Sequence, residues 1–234
     1  MSENQLYDVW WTEQKDGEQR MEDEHQAHWR KVLGYMEESE LNDFEILDFG
    51  CNQGGFLRYL YGQRPFKCGV GIDLARRSVD IANARKGGLP VHYEATSTPE
   101  QFQHRFHLAL SISVIYLISD LKEHAWKIKQ ALKPGGVYYA TYTDYSGNPS
   151  LPSIREQINR NGALPMNEHR LDDIAGAFLG EGFQVQIRRI PPRGYITLSD
   201  QERWFGSFAD RMLYEYEQAY MFRFTAPAEE QSNR

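Results

Sequence analysis

The chain has 234 residues, 41% of them hydrophobic and 25% charged, with a formal net charge of −7. That length suffices for one large domain with a buried core, and no Lys/Arg-rich run offers itself to a phosphate backbone. Cys51 and Cys68 are too few for a disulfide framework or a zinc site and read as buried reduced thiols.

The N-terminal MSENQLYDVWW has neither a basic n-region nor an apolar h-region. No apolar run approaches the ~20 residues of a membrane span. A cytoplasmic protein without a membrane partner is expected. Residues 1–43 are polar, acidic and rich in aromatics. Trp29, Val32, Leu33 and Met36 recur at helical spacing, which predicts an amphipathic helix inside an N-terminal helical cap. Trp10, Trp11 and Trp29 read mainly as anchors of that segment to the core.

From residue 44 to 227 strand-like and helix-like segments alternate. Strands are predicted over 44–48, 68–73, 90–94, 106–112, 136–142, 183–190 and 218–225. Helices are predicted over 54–62, 76–87, 121–132, 153–160, 168–180 and 200–216. Inserts fall at about 145–168 and 194–217, and 228–234 reads as a disordered polar tail. Repeated strand–helix alternation implies right-handed crossovers and a mainly parallel sheet with helices on both faces.

The stretch EILDFGCNQGGFLRYL, residues 45–60, runs from a buried strand through a glycine loop into a helix. Gly50, Gly54 and Gly55 supply positive φ or close backbone approach, and Asn52 is among the residues that best tolerate the left-handed region. Read as G-x-G-x-x-G, with Asn52 in the second place, the loop matches a nicotinamide dinucleotide site weakly. Asp48 argues further against one, because a carboxylate facing the crevice mouth suits cationic or hydroxyl donors better than a pyrophosphate. KCGVGID ends in Asp73, close to the ~20-residue spacing expected of a carboxylate that grips a ribose diol; that spacing favours this role over an N-cap for the helix over 76–87. VHYEATS follows with Glu94 and Ala95, then FHLALSISVIYLISD. LKPGGVYYATY follows in turn, and its Pro134-Gly135-Gly136 reads as a turn that stops a helix at Lys133 and launches a strand.

These segments, in this order over roughly residues 44–142, resemble the class I S-adenosylmethionine-dependent methyltransferases. ILDFGCNQGG resembles the family's first motif, GVGID the second, RFHLALSIS the fourth-strand motif and LKPGG its helix-to-strand turn; YEATS stands where Gly-Asp-Ala is frequent. The resemblance implies an α/β, three-layer Rossmann-like fold with a mostly parallel seven-stranded sheet ending in an antiparallel pair. It also implies S-adenosylmethionine as cofactor. Asp48 would lie at the cofactor's amino-acid end, with the Gly50, Asn52 and Gly54 backbone close by. Asp73 would hold the ribose hydroxyls, Leu74 would pack on the adenine, and Glu94 and Ala95 would meet the adenine edge. Ser111 and Ile112 would flank the methionine moiety. His107 stands where the family usually has Asp and reads as a strand-end histidine without catalytic duty.

Methyl transfer is an in-line displacement in which the protein aligns a nucleophile and excludes water. The residues therefore name no catalytic base. Acceptor pockets fall to the surrounding segments, where Tyr7, Trp11, Tyr116, Tyr145, Tyr195 and Trp204 are the candidates. Residues 204, 208 and 212 share helical spacing and also read as one core-facing stripe. No Asn-Pro-Pro-Tyr or Asp-Pro-Pro-Tyr motif follows the fourth strand. With the acidic balance, that favours a small-molecule acceptor and disfavours a nucleic acid. A methyltransferase acting on tRNA or protein, a non-catalytic regulatory binder of the same cofactor and a nicotinamide-dependent oxidoreductase are the competing readings.

Overall fold

The computed structural model describes residues 17–161, 164–198 and 204–228. Helix α1 (Gly17–Leu33) leads into β1 (Leu41–Phe49), α2 (Gly55–Gln63), β2 (Phe66–Asp73), α3 (Arg76–Arg85) and β3 (Val91–Ala95). Then come β4 (Phe106–Ser111), α4 (Leu121–Ala131), β5 (Leu132–Thr143), α5 (Leu151–Asn161), α6 (Leu171–Gly180) and β6 (Gln184–Arg189). The short α7 (Phe208–Leu213) runs into a π turn over Tyr214–Gln218 and then β7 (Ala219–Thr225).

The seven strands form one sheet in the order β3-β2-β1-β4-β5-β7-β6. Strands β1 to β5 are parallel; β7 pairs antiparallel with both β5 and β6. This is the seven-stranded α/β architecture expected, including its antiparallel end. Strand β1 opens at Leu41 rather than at 44.

Alternation along each strand builds a core on either face. Ile46, Leu108, Leu110 and Tyr139 face Trp29, Val32, Leu57, Leu60 and Val79 of α1, α2 and α3. Leu47, Val70, Ile72 and Ala109 face Ala125 and Ile128 of α4 and Ile174 and Phe178 of α6. The repeating Gly-Val-Gly-Ile of β2 has a steric cause. A Cβ at Gly71 would sit 2.5 Å from the Tyr93 ring and 2.8 Å from the Cys51 Cβ, and one at Gly69 would sit 2.9 Å from the Phe66 ring, so neighbouring side chains fill that face of β2.

Two expectations need correction. Pro134-Gly135-Gly136 is not a free turn. Helix α4 ends at Ala131, β5 starts at once, and the register slips between Phe106 and Leu108 where they pair with Leu132 and Val137. The Gly135 N–H donates to the Pro227 carbonyl and the Ala226 N–H donates to the Gly136 carbonyl, so the glycines form a bulge closed by the end of β7. The helix predicted over 200–216 is realised only as α7 and its π turn. Phe208 is 47% and Trp204 41% exposed, so the 204/208/212 stripe does not face the core. Residues 199–203 lie outside the described residues, as do Tyr7, Trp10, Trp11 and most of the expected tail.

Candidate active site

The loop between β1 and α2 makes its turn with three left-handed residues, Gly50 at φ 81°, Asn52 at 46° and Gly54 at 74°. Gly50 and Cys51 both donate to the Ile72 carbonyl, at 2.8 and 3.0 Å. The Asn52 N–H donates to Asp73 Oδ2 at 2.9 Å, and the Ala75 N–H to Asp73 Oδ1 at 2.8 Å. Asp73 thus ties the loop to the end of β2 and also accepts from the start of the next helix. The N-cap position of α3 is Ala75, without a side-chain cap, so Asp73 braces the turn before that helix and does not cap it.

The ends of β1, β2 and β4 open onto a cavity of about 460 Å³. Asp48, Gly50, Asn52, Asp73, Leu74 and Ile112 line it. Asp48 is 2% exposed and its Oδ2 has no hydrogen-bond partner. Burial, with Asp73 nearby, raises its pKa to about 8. Burial also raises Asp73, but the Ala75, Asn52 and Leu74 N–H groups oppose the shift. A carboxylate with several N–H donors is the better holder of negative charge. The proton of the pair therefore rests on Asp48 and the charge on Asp73.

Four expected residues do not line this cavity. Gly54 lies beneath it: its carbonyl accepts from the Tyr93 hydroxyl at 2.9 Å, and a Cβ there would meet the Tyr93 ring at 2.4 Å. Ser111 is fully buried behind it. Glu94 approaches His92 at 3.5 Å, and with Ala95 it stops short of the rim, because β3 runs on to Ala95 and leaves Thr96 and Ser97 at the cavity. His107 sits at the far, N-terminal end of β4. Phe44 stacks on its ring, its Nδ1 accepts from the Glu45 N–H, and Lys133 Nζ lies 2.9 Å from Nε2.

A second cavity of about 360 Å³ adjoins the first, and His25, His28, Ser113 and Tyr116 line both. Tyr145, Trp204, Phe205 and Tyr214 line the second alone. Tyr145 stacks on Tyr214 with ring centroids 5.9 Å apart, and Phe205 tilts against Tyr214 at 5.2 Å. Burial pushes the Tyr116 and Tyr214 phenols up to about 12, so these hydroxyls are neutral donors. Tyr195 is fully exposed and lines neither cavity.

Sequence reasoning missed the histidines of α1. They continue the stripe of Trp29, Val32 and Leu33 by one turn toward the N-terminus, and that continuation was the available signal. Trp29 is 8% exposed, packs edge-on against Phe56 at 5.9 Å and so seats α1 against α2. Ser113 was hidden by its conformation. Its φ of 59° turns the chain at the end of β4, and its N–H donates to Thr141 Oγ1 at 2.8 Å. Among the described residues, no helix is long and apolar enough to cross a membrane.

Residues 18–187 match the family model described as "Methyltransferase domain". The ubiquinone biosynthesis O-methyltransferase of Paramagnetospirillum magneticum is 34% identical over 180 residues, which is 71% of this chain and 70% of that protein. Among solved structures, a chain of the complex between the Haloferax volcanii Trm112 methyltransferase activator and a methyltransferase superposes with a TM-score of 0.79 at 19% identity. That match covers 97% of this chain and all of the other. The S-adenosylmethionine-dependent methyltransferase of Mesorhizobium loti superposes at 0.66 and 16% identity, over 85% and 97% of the two chains. The family-model match and the 34%-identical relative, on a shared fold, make the chain a member of the methyltransferase-domain family, a class I S-adenosylmethionine-dependent methyltransferase.

Proposed function

We propose that the protein methylates a hydroxyl group of a small molecule held in the aromatic cavity, with S-adenosylmethionine in the adjoining one. The observation that carries this reading is the pair of cavities meeting at His25, His28, Ser113 and Tyr116. A donor on one side of that junction faces an acceptor on the other, as an in-line displacement requires.

The residues of the first cavity fit the cofactor. The unpartnered Oδ2 of Asp48 is an acceptor for an ammonium group. Gly50 keeps the floor close, since a Cβ there would meet Val114 at 2.5 Å. Asp73, fixed by two backbone donors, retains lone pairs for a ribose diol. Leu74, 43% exposed, offers an apolar face to the adenine. Thr96 and Ser97, rather than Glu94 and Ala95, supply the polar edge beyond it. The volume lies in the range of small-molecule sites. When bound, the cofactor supplies an electrophilic methyl on a sulfonium.

The second cavity is ringed by aromatic faces and neutral phenols, which suits a planar, weakly polar acceptor. Oxygen as the accepting atom is supported by the name of the 34%-identical relative. In this reading α1 and the 204–218 stretch form a cap over the core domain and select the acceptor. The test is transfer of labelled methyl from S-adenosylmethionine to a set of small hydroxyl compounds, with matched amines, tRNA and a protein extract alongside. Label in a methyl ether is the expected result; label only in amine, RNA or protein overturns the acceptor class.

A further inference from the structure

We propose that His28 is the general base of methyl transfer, taking the proton of the acceptor hydroxyl; this rests on the acceptor class just proposed. Four residues line both cavities, and they differ in what they offer a hydroxyl at the junction. The Tyr116 phenol is held protonated by burial, and Ser113 carries a weakly basic hydroxyl. His25 is exposed and tilts against Trp29 at 5.9 Å. His28 is half-buried, and its Nε2 touches neither solvent nor any hydrogen-bond partner in the protein. A buried imidazole nitrogen left in that condition is a cost to the fold unless a ligand meets it.

The protonation state supports the role. Burial, reinforced by Lys31 and His25, brings His28 down to about 4. The ring is therefore neutral at physiological pH with a lone pair available. A base this weak still suffices. As the acceptor oxygen forms its bond to the methyl carbon, the carbon–sulfur bond breaks and its electron pair goes to sulfur. The acceptor O–H then becomes far more acidic than in a free alcohol or phenol. Its proton passes to the imidazole, which holds it loosely and gives it up to solvent once the methylated product leaves the cavity. Lys31 is paired with Glu215 at 3.3 Å, which ties α1 to the π turn and fixes His28 over the acceptor cavity.

The experiment uses the full chain and its variants His28→Ala and His28→Gln. Catechol, a hydroxybenzoate and a hydroxyquinone serve as probes with labelled S-adenosylmethionine. The probe that the parent methylates fastest is carried into the variants. Melting curves and calorimetric affinity for S-adenosylhomocysteine run in parallel. Both variants are expected to lose about 10²- to 10⁴-fold in kcat, the range of a positioned base. KM and S-adenosylhomocysteine affinity should stay within about threefold. Added imidazole should restore part of the rate to His28→Ala, which leaves room for it, and not to His28→Gln. A variant kcat within about threefold of the parent overturns the proposal, as does a loss that follows cofactor affinity or melting and ignores imidazole. A parent that methylates none of the hydroxyl probes overturns the acceptor class itself, and the base with it.

Discussion

Asp48 and Asp73 place two carboxyls at one crevice, and their hydrogen bonds divide the roles. Asp73 accepts from Asn52 and Ala75, whereas Asp48 Oδ2 has no donor. With its folded pKa raised to about 8, Asp48 keeps a proton that the unfolded chain releases near pH 4. Its contribution to stability is intact at acid pH and is lost as the pH climbs toward 8. Asp48→Asn should therefore melt above the parent by a margin that widens from pH 5 to pH 8 in ligand-free protein, yet bind S-adenosylhomocysteine more weakly. An ammonium ligand at Asp48 should also displace its proton. Calorimetric titrations near pH 7 in buffers of different ionisation heat should reveal release of up to about one proton, and no release would place the ammonium elsewhere. Asp73→Ala should weaken cofactor binding by ~1.5–3 kcal/mol from the lost charge-assisted hydrogen bonds, and unchanged affinity in a folded variant would remove Asp73 from the site.

Among the elements, the glycine loop and α1 behave differently from what their sequences suggest. Gly54 reads as a place of close cofactor approach, but its neighbour is Tyr93. Gly54→Val should act on the fold, costing ~2–5 kcal/mol from left-handed strain and overpacking, as denaturant unfolding would measure. An unchanged midpoint would mean that the loop yields. Trp29 is both an anchor and a wall of the cavity, so Trp29→Ala should cost about 3–5 kcal/mol and weaken S-adenosylhomocysteine binding. In the second cavity, proposed to hold the acceptor, Tyr145 stacks on Tyr214. Tyr145→Ala should raise the acceptor KM by about threefold to tenfold with cofactor affinity unchanged; a shift confined to the cofactor would place Tyr145 on the wrong side of the junction.

At the scale of the whole molecule, the strand order decides where anything can bind. The chain reverses direction across the sheet at β1, with β2 on one side and β4 on the other. The loops at their C-terminal ends therefore diverge, and the crevice opens there. A ligand in that crevice bridges three strand ends and should stabilise the fold as one unit. Saturation at ~100 times Kd contributes about 2.7 kcal/mol, or a rise in Tm of roughly 5–10 °C for a chain of this size. S-adenosylhomocysteine should produce that rise and NAD should not, and amide exchange should slow over residues 48–55, 73–75 and 112–120. A shift with NAD alone would contradict the assignment.

The strand–glycine loop–helix unit and the succession of strands and helices along the chain were legible in the sequence, because local physics fixes them. Positive φ selects Gly50, Gly54 and Asn52, and period-2 and period-3.6 patterning separates strand from helix. Asp73 ends a buried strand at a set distance from the loop, and the fold brings it to the cavity with Asn52. What depends on partners distant in the chain was not legible. The Tyr93 ring claims the space over Gly54 and Gly71, and the end of β7 turns Pro134-Gly135-Gly136 into a bulge. A one-residue extension of β3 moves the cavity rim from Glu94 to Thr96. Which of two aspartates holds the proton follows from backbone donors that only the folded loop aims. The junction of two cavities, with His28 from α1 above Ser113 and Tyr116 from beyond β4, exists only once helix and sheet are packed. No local pattern carries it, because its residues are neighbours in space and not in the chain.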